Sequence, residues 1–328
     1  MITPDPAGRI LAMLRDKTVP LSGAAMSKTL GISRSAVWKH IRSLRQEGYR
    51  IEAQTASGYR LVAVPSHPTP WEIQAGLGTD RFGRKIHLFQ QVTSTNAVAF
   101  RLARRGEQEG AVVLAEAQTA GKGRMGRRWE SPGGANIYLS LILRPHIPPT
   151  NMPLITLMTA VAGAEAIGEV MGRLPEIKWP NDLLFSGRKV GGILTEADME
   201  MDAINFVVVG IGINVNMRRR AFPAVIRDTA TSLQEESGKE IARIPLIQAV
   251  IQGMERWYDI LAQGRGKAIR ERWQELARIK GKKVAVSFMH DIVKGMALGL
   301  DEDGALLVES DNGTVRRIVA GDVTVGEG

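Results

Sequence analysis

The residues from Gly121 to Gly126, GKGRMG, concentrate what an anion site needs. Glycines let backbone N–H groups approach a ligand and point at it. Lys122, Arg124, Arg127 and Arg128 add positive charge, and no acid stands between Glu116 and Glu130. The spacing also matches G-x-G-x-x-G, the dinucleotide fingerprint. That fingerprint must open a helix directly after its strand, with an acid about 20 residues further on. Pro132, Gly133 and Gly134 stop any such helix, residues 135–144 read as a strand, and position 146 is a histidine. The dinucleotide reading is set aside. A loop for a carboxylate or a phosphate remains, beside the plainer reading of a basic surface loop.

Other clusters carry chemistry of the same kind. Ser94, Thr95 and Asn96 end a strand and cap a helix, where their hydroxyls and amide can face a polar ring or serve only the cap. Lys178, Asn181 and Asp182 surround a proline turn, KWPNDL. Lys189 opens a strand beside small residues, GRKVGGIL, and GIGINVN ends a buried strand at Asn214 and Asn216. Taken singly, each also reads as a cap, a turn, a hairpin or a strand end.

The elements that would hold these groups follow from periodicity. Residues 111–119 form a strand leading into the glycine-rich loop. Residues 151–171 form a long, largely apolar helix, and Leu246, Val250, Met254, Trp257 and Leu261 recur at helical spacing. After Lys280 the pattern becomes short strands separated by Asp303-Gly304 and Asn312-Gly313 turns, a small β-barrel. No apolar run is read as long enough to span a membrane, and the first ten residues lack the pattern of a signal peptide. Cysteine is absent, which excludes disulfides, thiolate metal sites and cysteine nucleophiles. The five histidines show no zinc-site spacing, and a cytoplasmic location is expected.

Charge is uneven. Residues 1–64 hold ten Lys/Arg against four Asp/Glu, so this stretch carries +6 of the chain's +9. Ile10, Leu11 and Leu14 mark a first helix; Ser22 caps a second; Gly31 ends it and Ser33 caps a third. Val37, Ile41 and Leu44 give the third helix its apolar stripe, with Ser35, Trp38, Lys39 and Arg42 on another face. Two short strands follow. Three helices and a hairpin make a winged helix-turn-helix, whose second motif helix enters the major groove. Ser33, Arg34, Ser35 and Lys39 are the candidates at its N-terminal end, with His40 and Arg42 nearer phosphate. Arg50 and Arg60 can reach the backbone from the wing, while Trp38 is expected to pack at the edge of the small core. VPSHPTP reads as the linker, giving domains at 1–64, 71–278 and 279–328 around a linker at 65–70.

Taken in order along nearly the full length, these motifs resemble the biotin–protein ligases, and most closely the bifunctional bacterial ligase/repressors. The resemblance is carried by SGAAMSKTLGISRSAVWKHI, TSTN, AEAQTAGKGRMGRRW, KWPNDL, GRKVGGIL, GIGIN and ATSL (230–233). It implies an α+β multidomain fold: a winged helix-turn-helix, a class II synthetase-like mixed α/β catalytic domain and an SH3-like β-barrel. It implies ATP, biotin and Mg²⁺, and formation of biotinyl-5′-AMP. A lysine of the biotin carboxyl carrier protein then receives the biotin. Ser94, Thr95, Asn96, Gln118, Gly121, Lys122, Gly123, Arg124 and Lys189 would bind biotin. Lys122, Arg124, Lys178, Asn181, Asp182 and Asn214 would contact ATP or the adenylate. Asn181 and Asp182 are the candidate Mg²⁺ contacts, and Lys189 and Arg124 the catalytic charges. Operator DNA of biotin genes and an adenylate-promoted homodimer follow from the same resemblance. Three features depart from it: Lys122 for a frequent arginine, Met125 for a basic residue, and Ala230 where some members place a tryptophan over adenine. The alternatives are a lipoate-type ligase, a regulator that only senses biotin, and a ligase whose N-terminal module no longer represses.

Overall fold

The computed structural model describes residues 6–15, 19–54, 57–200, 203–288 and 291–325. They divide into two compact units, 1–72 and 73–328.

In the first unit, α1 (Pro6–Arg15), α2 (Gly23–Leu30) and α3 (Arg34–Gln46) precede a hairpin of β1 (Arg50–Gln54) and β2 (Gly58–Ala63). Residues 55–56 of the expected wing turn lie outside the described residues. Both predicted caps form. Ser22 accepts from Ala25 N and Ser33 from Ala36 N, each at 3.1 Å, and Gly31 closes α2 in the left-handed region at φ 68°. Ile10, Leu11, Leu14, Met26, Val37, Ile41 and Leu44 meet in one core. Trp38 departs from expectation: it lies outside that core and is 50% exposed. The stretch 65–70 is also not a free linker. Thr69 is buried and its hydroxyl bonds that of buried Tyr49 at 2.8 Å, with Trp71 edge-on to the same tyrosine.

The second unit is built on a seven-stranded sheet. A short helix α4 (Pro70–Ala75) precedes β3 (Ile86–Val92), α5 (Thr95–Arg104), β4 (Val112–Gln118) and β5 (Ile137–Leu143). Then come α6 (Met152–Met171), β6 (Glu176–Lys178), β7 (Asp182–Phe185), β8 (Arg188–Glu200) and β9 (Ala203–Ile213). The sheet order is β3-β4-β5-β9-β8-β7-β6, with β3 and β4 parallel and every other pair antiparallel. Its central strands are covered on both faces, which is why their sequences are nearly continuous apolar runs. Val112, Leu114, Leu141, Val207 and Val209 point to the main core, whereas Val113, Ile142 and Val208 pack under α5 with Val98 and Ala99.

After α7 (Leu233–Ser237), the helices α8 (Arg243–Ala262) and α9 (Gly266–Ala277) join α6 on the first of these faces. The α6 stretch is long and apolar enough to cross a membrane by length and composition, contrary to the sequence reading, but 67% of its most apolar window is buried within protein. Its small residues have a packing cause. A Cβ at Gly163 would lie 2.8 Å from Ile211, and Gly253 of α8 approaches Ala162.

Where the sequence reading expected a C-terminal barrel, the structure has a five-stranded antiparallel sheet of β10 (Lys283–Phe288), β11 (Asp291–Leu300), β12 (Leu306–Glu309), β13 (Val315–Ile318) and β14 (Asp322–Val325). All pairs are antiparallel, in the order β13-β12-β11-β10-β14. Val284, Val286, Ala297, Leu306, Val308 and Val323 share one apolar core with the helices, so this sheet is part of the second compact unit rather than a separate one.

Candidate functional site

The α5 face of the sheet has a floor from which side chains are missing. Tyr138, Gly212, Gly192, Asp182 and Lys178 stand in register across β5, β9, β8, β7 and β6. Ser140, Gly210 and Leu194 form the neighbouring row. All of these except Ser140 line a cavity of about 410 Å³, a volume suited to a small molecule. The glycines are required by what lies on them. A Cβ at Gly210 would sit 2.1 Å from Asn96 Oδ1, and one at Gly212 would sit 2.7 Å from the Trp129 indole.

One end of the cavity is polar and neutral. Ser94, Thr95 and Asn96 are buried at the start of α5, and the Ser94 hydroxyl makes no capping bond. Gln118 Oε1 accepts from Thr95 N at 2.8 Å, and Gln118 Nε2 donates to Ser131 Oγ at 2.9 Å. Ser140 Oγ lies 2.8 Å from Thr95 Oγ1 and 2.6 Å from Asn96 Oδ1. Asn96 Nδ2 donates to Glu196 at 2.8 Å, which fixes the orientation of the amide. These groups hold one another in place before any ligand arrives.

The basic loop crosses the cavity as a tight hairpin. Trp129 N donates to Gly121 O at 2.9 Å and Gly123 N to Arg127 O at 2.7 Å. Gly121 cannot carry a side chain there, because a Cβ would stand 2.5 Å from Trp129 O. Met125 occupies the exposed tip in the left-handed region, φ 55°. Arg124 turns inward, donating to Asn181 Oδ1 at 2.9 Å and to Gly321 O at 3.4 Å. Burial holds its guanidinium below the usual arginine range, opposed by the carboxylates of Asp322 and Asp182. Arg127 pairs with Asp322. Lys122 and Gly123 also line the cavity, and Lys122 makes no ion pair among the described residues.

Lys189 reaches the cavity because of a register shift. It stands three positions before Gly192, so in a regular strand it would face the opposite side. The β7–β8 pairing shifts between Leu183 and Leu184, leaving Val190 in the main core and Lys189 on the cavity side. A bulge re-aims a side chain in this way. Its ammonium lies 2.6 Å from Asp182 Oδ1 and 5.4 Å from the Trp129 ring centroid. Its backbone pairs with Thr229 and Thr231.

Sequence reasoning missed several lining residues. Trp129 lines the cavity, and its Nε1 is buried without a hydrogen-bond partner. Phe222 and Ile226 pack with Met217 and Ala230 into a small apolar cluster, and Phe222, Ile226 and Ala230 also line the cavity beside Thr229. Position 230 alone announced the lost tryptophan; the phenylalanine eight residues earlier had no motif to reveal it. Asn214, though lining, is held by its own bonds to Val190 and Thr231.

The donor set does not build a cage for Mg²⁺. Asp182 is engaged by Lys189, and both ends of the Asn181 amide are used, by Arg124 and by Ile193 O. Among the described residues no group of three His, Cys, Asp or Glu gathers to hold a metal.

On the first unit, Arg34, Ser35, Lys39 and Arg42 are exposed on one side of α3, and His40 is half-buried. The Ser33 and Ser35 hydroxyls lie 2.8 Å apart, so both are partly engaged at the cap. Arg60 pairs with Glu52 at 3.2 Å, which removes it from the free cations of the wing.

Family models match three stretches: the biotin/lipoate A/B protein ligase family at residues 88–214, an HTH domain at 8–60 and the biotin protein ligase C terminal domain at 281–326. The bifunctional ligase/repressor BirA of Bacillus subtilis (strain 168) is 41% identical over 307 residues, covering 93% of this chain and 94% of its own length. That of Escherichia coli (strain K12) is 31% identical over 325 residues, covering 95% and 98%. Among solved structures, the biotin protein ligase from Aquifex aeolicus in complex with biotin and ATP matches with a TM-score of 0.63 at 28% identity, covering 75% of this chain and 100% of that one. With relatives this similar over nearly the whole length, a cavity of matching chemistry and a helix-turn-helix ahead of it, the chain belongs to the biotin–protein ligases of the bifunctional ligase/repressor type.

Proposed function

We propose that the chain joins biotin to a lysine of a biotin carboxyl carrier protein through biotinyl-5′-AMP, and that its N-terminal unit represses biotin genes. The observation that carries the first part is the single cavity in which a neutral hydrogen-bonding end, a cationic middle and an apolar recess adjoin. Lys189 connects the last two, touching Trp129 with its ammonium and Thr229–Thr231 with its backbone.

The polar end suits biotin's ureido ring, with Ser94, Thr95, Asn96 and Gln118 as contacts. A carboxylate oxygen of biotin attacks the α-phosphorus of ATP, and the bond to pyrophosphate breaks. Two anions must meet, so fixed positive charge near the reacting atoms lowers the barrier. Lys189, Arg124 and Lys122 supply it, with Lys178 on β6, two strands from Lys189. Lys189 acts as a point charge; its partner Asp182 keeps it aimed rather than making it a base. Phe222, Ile226 and Ala230 offer the adenine an apolar wall in place of a tryptophan. Mg²⁺ would accompany the nucleotide phosphates, which normally supply several of its oxygens. In the second step the carrier's lysine amine attacks the acyl carbon, the amide forms and AMP leaves. The hairpin 121–129 over the cavity limits hydrolysis of the adenylate in between.

The second part extends the family's dual role to an adenylate-promoted homodimer on operator DNA in the cytoplasm. The test of the ligase is exchange of labelled pyrophosphate into ATP. Exchange that needs biotin and ignores lipoate, followed by labelling of a carrier peptide, is expected. Exchange driven by lipoate instead would move the chain to the lipoate ligases. For the repressor, upstream DNA of biotin genes should be retarded only when biotin and ATP are both present; no retardation leaves a ligase alone.

A further inference from the structure

We propose that Trp38 reads thymine in the DNA bound by the N-terminal unit, through apolar contact of its indole with the C5 methyl group in the major groove. The inference rests on the DNA-binding reading above.

Trp38 is 50% exposed and stands outside the core that Val37, Ile41 and Leu44 of the same helix help to fill. Ser35 and Arg42, at i−3 and i+4, share its face and Lys39 flanks it, all exposed. The Arg42 guanidinium carbon lies 5.6 Å from the Trp38 ring centroid. That cation–π contact steadies the indole from one side. Single exposed apolar side chains are ordinary on a protein surface, and this chain has others, Val225 and Ile292 among them. What sets Trp38 apart is its place among exposed polar and basic residues of the helix expected to enter the major groove.

Charge selects the partner. Residues 1–64 hold ten basic residues against four acidic ones, a balance that attracts a polyanion. Base edges in the major groove present hydrogen-bond donors and acceptors, and a single kind of apolar group, the thymine methyl. An indole meeting those edges therefore gains most at thymine. Arg34 and Lys39 on the same side can take guanine edges or phosphates, a division of labour that leaves Trp38 the apolar contact.

The experiment uses the full-length chain with biotin and ATP and a pool of duplexes randomised in sequence. Duplexes selected by the wild type are remade with each thymine replaced in turn by deoxyuridine, which lacks only the methyl group. At one or more positions the wild type should lose about fourfold in affinity, the value of one buried methyl. Trp38→Ala should bind the unmodified duplex about tenfold more weakly and be indifferent to the same replacement. Its salt dependence should match the wild type, because no phosphate contact is removed. If deoxyuridine weakens both proteins equally, or neither, the proposal is overturned. A Trp38→Ala chain that binds DNA normally but changes its oligomeric state would assign the ring to a protein contact, and also overturns it. Failure of the wild type to select any sequence sinks the DNA-binding reading itself, a result distinct from the other two.

Discussion

Two basic surfaces of this chain use the same residue types in opposite ways. In the cavity, Arg124 is held by Asn181 and Gly321, Arg127 by Asp322 and Lys189 by Asp182. On α3, Arg34, Lys39 and Arg42 face solvent and make no ion pair among the described residues. The difference follows from what each surface must do. Stabilising charge that develops in a reaction requires groups already in place, since reorganising them would add to the barrier. Binding a phosphate backbone draws on counterion release, which tolerates mobile side chains. Lys122 apart, which lines the cavity without an ion pair among the described residues, partnered cations mark the chemistry and free cations mark the polyanion.

The contrast is broken most directly at Lys189. Lys189→Gln should lower biotin-dependent pyrophosphate exchange by roughly 10²–10³-fold, the usual cost of one preorganised stabilising group, with DNA retardation compared at saturating adenylate as the control. A loss below tenfold would mean that the fixed ammonium is not what the cavity depends on. Gly210→Ala tests the floor. Its Cβ would collide with Asn96 Oδ1, so a destabilisation of about 1–3 kcal/mol is expected, read as a lower melting temperature together with a raised KM for biotin. An unchanged KM would show that Asn96 is not set by the floor. Arg124→Gly should leave adenylate formation measurable while labelling of a bystander protein rises about tenfold, because the hairpin loses its inward anchor. Bystander labelling at the wild-type level would remove Arg124 from the lid. The smallest effect belongs to the open surface. Lys39→Ala should weaken DNA binding several-fold and reduce the salt slope by about 1, with exchange activity unaltered. A Lys39→Ala chain with an unchanged slope would mean that this cation is not at phosphate.

Much of the frame was legible because its signals are local. Caps at Ser22 and Ser33 and the left-handed Gly31 are decided within a single helical turn. The apolar run FVVVG ahead of GIGINVN marks a buried strand from its own residues alone. Less legible was the burial of Thr69 beside Tyr49, since a proline-rich stretch signals irregular backbone without saying what it packs on. Trp38 was misplaced for a related reason. Helical spacing put it on the polar face with Ser35, Lys39 and Arg42, its apolar ring suggested the core edge, and only the positions of α1 and α2 settle that the ring stays uncovered.

The sequence by itself determined which groups the cavity could contain: the glycine-basic loop, the Ser-Thr-Asn helix start, the lysine before two small residues and the helix-turn-helix ahead of them. Tertiary structure decided which of them meet, and how they are aimed. The register shift at Leu183/Leu184 turns Lys189 inward, Gly210 and Gly212 are empty because Asn96 and Trp129 lie over them, and Gly321 and Asp322 arrive from the distant C-terminal sheet to hold two loop arginines. These depend on pairings between segments far apart in the chain. Spacing along a sequence records the direction of a side chain only while the strand stays regular, and it carries no record of the neighbour that a distant strand will bring.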